Sequence, residues 1–344
     1  MIYVGVDLHL EFCYITVVEA SGRKSQQARV ANDSVSLRQF FSGLKPSSNG
    51  EEEEIAVAVE ACGFWSAFVE CVEPLVNRVV LVHPARVKAI AHAKLKNDRV
   101  DSATLAQLLR GNLLPEAWKA DVATRDLRQL LRMRAALSKS RTRFKNQIHA
   151  VLHQYGERRT VSDLFGREGR AWLAQLALRP AGRLAVDTYL RQLDGLEREL
   201  HDLDQGLRHQ AQADVDARNL MTIPGVGPFT ALVLKAEVGD IRRFGEKRSL
   251  YQYAGLVPVI RQSAGHCYRG GITRMGSPML RWVMCEAALT AARYSPAARA
   301  YFERLAKRKH PHVARTALAR KLLGAVWALW THGVCFDEQV FAAM

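Results

Sequence analysis

Three strand-length runs precede the first helical stretch, and this order limits the fold more than any single motif. The segment "IYVGVDLHLEFCYITVVEASGRKSQQARV" reads as a strand, a second strand, a turn at "ASGR" and a third strand. "SVSLRQFFSGL" then reads as a helix capped by a serine, and "SSNGEEEE" as a solvated acidic loop. "IAVAVE" is apolar without alternation, as in a strand of a sheet covered on both faces. "FWSAFVECVEPL" is helical, "RVVLVH" is another buried strand, and "PARVKAIAHAK" and "DSATLAQLLR" are helical. A doubly wound nucleotide-binding fold opens β-α-β instead, so this order disfavours it.

Three meandering strands, then helix, strand, helix, strand and helices, is the order of a ribonuclease-H-like (RuvC-like) α/β domain, expected here over residues 1–122. Sugar kinases and actin-like ATPases share that fold and also open with a "GVD" strand. They follow it with a Gly/Thr-rich turn that cradles phosphate. Here "LHLEF" follows, which disfavours an ATPase.

Strand signals vanish from about residue 124. Leu127, Leu130, Leu137, Phe144, Ile148, Val151 and Tyr155 fall on a 3-4 spacing, interrupted by Arg134 and Arg141. A cleaner heptad follows at Val186, Tyr189, Leu193, Leu196, Leu200, Leu203 and Leu207. Two long helices joined by a Gly/Arg-rich connection at 156–182 predict a coiled-coil arm over 123–215; a helix pair folded onto its own domain is the alternative. Burying Arg134 or Arg141 without partners is costly, so a wet or intermolecular seam touching nucleic acid fits the pattern. Residues 216–344 form a third, mainly helical block with a Gly-rich middle, making the whole chain α/β plus all-α.

The formal charge of the 344-residue chain is +15. Residues 1–123 hold 13 Lys/Arg against 15 Asp/Glu, whereas residues 124–344 hold 36 against 19, a net of +17. A near-neutral front and a basic back point to catalysis in one part and phosphate gripping in the other. A generic basic protein, for instance one bound to ribosomes, has the same balance. The six cysteines show no C-x-x-C and no paired Cys/His spacing, which argues against zinc and fits a reduced, cytosolic protein. No signal peptide is expected ahead of "MIYVGVD", and the best apolar run, "KLLGAVWALWTHGVCF", is broken by Thr331, His332 and Gly333, so no membrane span is expected.

Four acids occupy linked places. Asp7 closes the first strand, Glu60 closes "IAVAVE", and Asp98 and Asp101 share one face of a helix start. In a ribonuclease-H-like sheet the first and fourth strands end side by side, and a following helix brings further carboxylates to that point. Four gathered acids repel one another unless a cation neutralises them, and a hard ion such as Mg²⁺ (or Mn²⁺) suits oxygen donors. Singly, each acid has a plainer role: Asp98 or Asp101 as a helix cap, Asp7 closing a turn, Glu60 paired with a lysine. The metal reading rests on the four together.

"LMTIPGVGPFTALVLKAEVG" fits a helix-hairpin-helix in which Gly225 and Gly227 permit a tight turn with open backbone N–H groups, a phosphate site without base readout. An ordinary packing corner is the alternative. Downstream, Ser263 is expected in a loop flanked by Arg261, His266, Arg269 and Arg274. A serine attacks a phosphodiester if cations lower its pKa and steady the pentacoordinate charge. By surroundings alone, Ser249 and Ser277 qualify equally, and a turn hydrogen bond explains any one of them.

The segments "YVGVDLH", "VAVEACGFW", "KNDRVDSATLAQLL", "IPGVGPFTA", "YAGLVPVIRQSAG", "RGGITRMGSPMLR" and "ALARKLLGAVWALW" together resemble the IS110 family of bacterial insertion-sequence transposases, the DEDD type, over nearly the whole length. The resemblance implies a RuvC-like N-terminal domain, a coiled-coil arm and a C-terminal transposase domain. It places the family's four acids at Asp7, Glu60, Asp98 and Asp101 and its nucleophilic serine, which follows a "GL-x-P" turn, at Ser263. The family pattern has glycine directly after that serine, where this chain has Ala264. It further implies an element-encoded bridge RNA that pairs with target and donor DNA, homodimers that join into a tetramer, and a cytoplasmic, nucleoid-associated location in a bacterium. Base pairing would then choose the sequence and the basic back end would grip backbones. The expected chemistry is attack by Ser263 on a DNA phosphate, aided by Mg²⁺, then strand exchange and reversal by the freed 3′ hydroxyl. A metal-only RuvC-like junction nuclease needs the acids but not Ser263. A non-catalytic nucleic-acid-binding protein needs neither.

Overall fold

The computed structural model describes residues 1–44, 53–90, 97–158, 160–263 and 266–344, with backbone alone at 89, 261–263, 266, 267 and 269. The expected acidic loop "SSNGEEEE" and the end of the "PARVKAIAHAK" helix lie in large part outside these residues, and Ala264 wholly so. The chain forms two compact units, Met1–Lys119 and Ala120–Met344. The first is mixed α/β and the second mostly helical.

The first unit is a five-stranded sheet. Its strands are β1 (Ile2–Leu8), β2 (Phe12–Glu19), β3 (Lys24–Ala31), β4 (Ile55–Glu60) and β5 (Arg78–Val82). Their spatial order is β3-β2-β1-β4-β5, antiparallel across β3-β2-β1 and parallel across β1-β4-β5. Helices α1 (Ser34–Ser42) and α2 (Trp65–Val72) share a core with Val4, Val6, Ile15, Val57 and Val59 through Leu37, Phe41, Phe68 and Val72. The opposite parity, including Ala56, Ala58 and Val80, packs with α3 (Pro84–Ile90) and α4 (Asp98–Arg110) through Val87, Leu105 and Leu109. This two-sided cover is why "IAVAVE" carries no polar alternation.

Small residues on the second face let α4 lie close to the sheet. A Cβ on Gly5 would stand 2.0 Å from the Ser102 carbonyl oxygen and 2.4 Å from the Ala106 nitrogen. The buried hydroxyls of Thr16 on β2 and Ser102 on α4 meet at 2.8 Å, and Gln27 donates to Thr16 Oγ1 at 3.0 Å and to the Arg99 carbonyl at 3.1 Å. The contacts between Gly5, Thr16 and Gln27 and α4 fix its first turn above the sheet.

In the second unit, α5 (Val122–Gln154) and α7 (Pro180–Ala213) pack against each other. The Gly/Arg-rich connection between them contains α6 (Arg167–Gln175). Its Leu173 closes a core with Ile148, Leu152, Leu164 and Val186. From the heptad, Val186, Leu193, Leu200 and Leu207 are buried, whereas Tyr189, Leu196 and Leu203 are only half-buried. Leu131, Leu207 and Ala211 belong to the same core as α8 (Val215–Leu220) and α9 (Pro228–Val238). Beyond these lie α10 (Lys247–Tyr253), the antiparallel strands β6 (Pro258–Ser263) and β7 (His266–Ile272), then α11 (Pro278–Tyr294), α12 (Pro296–Ala306), α13 (Pro311–His332) and α14 (Glu338–Ala343). The β6–β7 hairpin corrects the expectation that strands end near residue 124. Its sequence, "PVIRQS" and "HCYRGGI", offers few β-branched residues and no clean alternation. The apolar run in α13 is a core helix, with Leu318, Leu322, Leu323 and Val326 fully buried. Among the described residues no helix is long and apolar enough to cross a membrane.

Candidate active site

Parallel pairing sets the first two acids side by side. Val6 is in register with Val59, so Asp7 and Glu60 follow at neighbouring carboxyl ends of β1 and β4. Both have the parity of Gly5, Ala56 and Ala58, the face on which α4 lies. Asp98 and Asp101 stand in the first turn of α4. Neither caps that helix. Asn97 does, accepting the Val100 N–H at 2.9 Å, which leaves both carboxylates clear of the cap. The cap of α1 likewise belongs to Asp33, which accepts from Val35 and Ser36, and not to a serine as expected.

One residue absent from the expected set joins the cluster. His9 Nε2 lies 3.4 Å from Asp7 Oδ2 and 3.4 Å from Asp98 Oδ2. Donor atoms of Asp7, His9 and Asp98 all fall within 4.8 Å of one another. The sequence signal was "DLH": residues two apart in an extended chain point the same way. Asp7 is half-buried, and burial raises its carboxyl pKa above the ordinary aspartate value. The nearby His9 pulls it down, while the charges of Asp98 and Asp101 push it up again. Mutual repulsion of this kind is what a bound cation relieves. Carboxylate oxygens and an imidazole are ordinary ligands of divalent ions, so the donor set fits one. Glu60 has its own interactions and is not among the three donors that converge.

Residues 4–157 match a family of DEDD-type IS110 transposases, described as "Transposase", and residues 217–303 match one described as "Transposase IS116/IS110/IS902 family". Together the two matches span more than two thirds of the chain. The chain belongs to the IS110/IS116 family of transposases. Similar proteins include the transposase for insertion sequence element IS1111A of Coxiella burnetii, 29% identical over 80% of this chain and 77% of its own length. The transposase for insertion sequence element IS1328 of Yersinia enterocolitica is 25% identical over 97% of this chain and 98% of its own length.

The other expected site residues of this IS110/IS116-family transposase lie in the second unit. Ser263 is the last residue of β6, paired with His266 of β7, so it belongs to a hairpin strand and not to the expected loop. Arg261 and Arg269 are on the same hairpin, opposite Tyr268 and Ile260. The side chains of Arg261, Ser263, His266 and Arg269 lie outside the described residues. Arg274 is exposed in a left-handed turn, φ 54°, its N–H bonded to the Gly255 carbonyl. Of the competing serines, Ser277 caps α11 and donates to Glu237 Oε2 at 2.8 Å, and Ser249 sits within α10.

Gly225 and Gly227 differ. Gly225 has φ +88°, and a Cβ there would come 2.3 Å from the Ala287 carbonyl, so it is a packing glycine. Gly227 precedes α9 with nothing within 4 Å of a Cβ position, which leaves its backbone open. Arg134, expected to touch nucleic acid, makes two hydrogen bonds to Asp204, at 2.8 and 2.9 Å, and stands 4.6 Å over the Phe229 ring. The arginine in the seam thus has a partner on α7. Arg141 is half-buried on α5.

Proposed function

We propose that this transposase cuts and rejoins DNA through a phosphoserine intermediate at Ser263, with a divalent ion, Mg²⁺ or Mn²⁺, held by Asp7, Glu60, Asp98 and Asp101 in a RuvC-like domain. The observation that carries the reading is the first turn of α4, which holds Asp98 and Asp101 on the sheet face that carries Asp7 and Glu60 near the carboxyl ends of β1 and β4. The strand order β3-β2-β1-β4-β5 supports a ribonuclease-H-like assignment. When bound, the ion supplies electrostatic stabilisation of the pentacoordinate phosphate, worth about several kcal/mol.

The Ser263 hydroxyl loses its proton as its Oγ bonds to phosphorus, and the P–O3′ bond breaks to leave a protonated 3′ hydroxyl. Rejoining reverses both changes on the exchanged strand, so the phosphodiester energy is conserved and no ATP is required. Ser277 is already engaged as a cap, which favours Ser263 of the two. The open backbone at Gly227 and the helix-hairpin-helix outline of α8, its turn and α9 fit a grip on DNA phosphates. Family likeness further supports target and donor DNA as partners, a bridge RNA as guide, and homodimers joining into a tetramer.

Strand-exchange assays on Ser263→Ala and Asp101→Ala test this reading. Ser263→Ala is expected to bind DNA, form no covalent adduct and exchange no strands. Exchange at the normal rate would remove the serine mechanism. A metal-only nuclease stands as the second reading because the donor atoms of Asp7, His9 and Asp98 meet without Ser263. It predicts cleavage by Ser263→Ala and none by Asp101→Ala.

A further inference from the structure

We infer that His9 is a nitrogen ligand of the divalent ion and biases the site towards Mn²⁺ over Mg²⁺. This inference rests on the metal reading given above and adds a ligand to it. The ring is held in place from several sides. Its backbone N–H donates to the Phe12 carbonyl at 2.9 Å, and its carbonyl accepts from Asn32 Nδ2 at 2.9 Å. The imidazole stacks on the Phe12 ring, centroids 4.6 Å apart, and the Arg29 guanidinium stands 3.9 Å from the centroid of that ring. A ring so fixed loses little freedom on binding a ligand.

Its Nε2 is shut off from solvent and has no well-aligned hydrogen bond, with an oxygen of Asp7 and one of Asp98 each 3.4 Å away. A buried ring nitrogen left without a hydrogen bond is costly, and nitrogen–metal coordination removes that cost. Adjacent ligands about 2.1–2.2 Å from an octahedral ion stand about 3 Å apart, so these 3.4 Å separations need only a small contraction. Mg²⁺ favours an all-oxygen shell and keeps its waters. Imidazole suits transition ions, for which affinity rises from Mn²⁺ along the first row. One imidazole among carboxylates therefore helps Mn²⁺ more than Mg²⁺.

The test is Mn²⁺ binding to the full-length, DNA-free protein, followed by electron paramagnetic resonance. Wild type, His9→Gln and Asp7→Asn are compared, with Mg²⁺ as competitor. Wild-type protein is expected to show ¹⁴N coupling to bound Mn²⁺ that His9→Gln lacks. His9→Gln should bind Mn²⁺ about tenfold more weakly, at the low end of what loss of a group that merely orients a ligand costs. Its Mg²⁺ affinity should change by less than about threefold, since Mg²⁺ leans on oxygen. Bound Mn²⁺ without ¹⁴N coupling, or equal losses for both ions in His9→Gln, would overturn the role of His9 alone. Undiminished Mn²⁺ binding in Asp7→Asn would overturn the carboxylate site and the inference with it. His9→Ala, with matched thermal melting, checks that the glutamine is not itself a ligand: ¹⁴N coupling persisting in either variant would also exclude His9.

Discussion

Asp7 shows how one side chain records the chemistry of its site. Its pKa is raised, chiefly by burial and then by the charges of Asp98 and Asp101. The sign of the pH effect follows. A carboxyl whose folded pKa exceeds its unfolded value is bound to a proton more firmly in the folded state, so it favours folding at low pH. That contribution is complete below the unfolded pKa and is lost as pH rises through the folded one. With metal chelated, Asp7→Asn should therefore flatten the pH dependence of the melting temperature across the acidic range. At neutral pH it should raise the melting temperature, because the charged carboxylate that burial and its acidic neighbours disfavour is gone. A lower melting temperature at neutral pH would show that the carboxylate is stabilised by its neighbours. Asn97 tests the capping argument separately. Asn97→Ala should cost about 1 kcal/mol in urea unfolding, because it removes the side-chain acceptor of the Val100 N–H and leaves only the bond to the Asn97 carbonyl.

At the scale of elements, α4 is placed by what the sheet lacks. Gly5 leaves room for the backbone of α4, and any side chain there displaces the helix that carries Asp98 and Asp101. Gly5→Ala should destabilise by about 3 kcal/mol, as overpacking against backbone does, and should weaken cation binding as well. Gly225→Ala meets both a left-handed φ and the Ala287 carbonyl, and should cost about 2 kcal/mol or more. Gly227→Ala has space and an extended ψ, so its unfolding free energy should stay within about 0.5 kcal/mol of the parent. If Gly227→Ala proved as damaging as Gly225→Ala, the open-backbone account of the hairpin would be wrong. Arg134→Ala should cost about 1 kcal/mol, because it removes two charge-assisted hydrogen bonds while the part-exposed Asp204 regains water.

For the whole molecule, charge and the helix pair decide how the chain meets its partners. Residues 124–344 carry 36 Lys/Arg against 19 Asp/Glu. If phosphates are the target, DNA affinity should fall about 10³–10⁵-fold between 50 and 200 mM salt, measured by fluorescence anisotropy. Asp101→Ala should leave that slope unchanged. The helix pair makes a second expectation concrete. Val186, Leu193, Leu200 and Leu207 are buried within one chain, so Leu200→Glu should unfold the pair. Leu196 and Leu203 are half-buried. If the proposed homodimer forms through them, Leu196→Glu with Leu203→Glu should leave helical content intact and give monomers in light scattering. An unchanged mass would show that the stripe does not drive assembly.

The strand order of the first unit, the two long helices and the places of Asp7, Glu60, Asp98 and Asp101 were readable from the chain, because each follows from local periodicity. Alternation, unbroken apolar runs and 3-4 spacing are properties of neighbouring residues. What local pattern cannot hold is which distant group satisfies a polar atom. Asn97 and Asp101 are both competent near a helix start, and geometry alone gave the cap to Asn97. Arg134 read as a free cation until α7 brought Asp204 to it. His9 was not singled out in the sequence, and only β1 and α4 set its Nε2 beside two carboxylates 91 positions apart in the chain. The β6–β7 hairpin was missed because its strands, "PVIRQS" and "HCYRGGI", show no clean apolar–polar alternation and are paired with each other. The sequence determined which acids lie at element ends; the close packing of α4 over Gly5 decided that two of them meet a histidine.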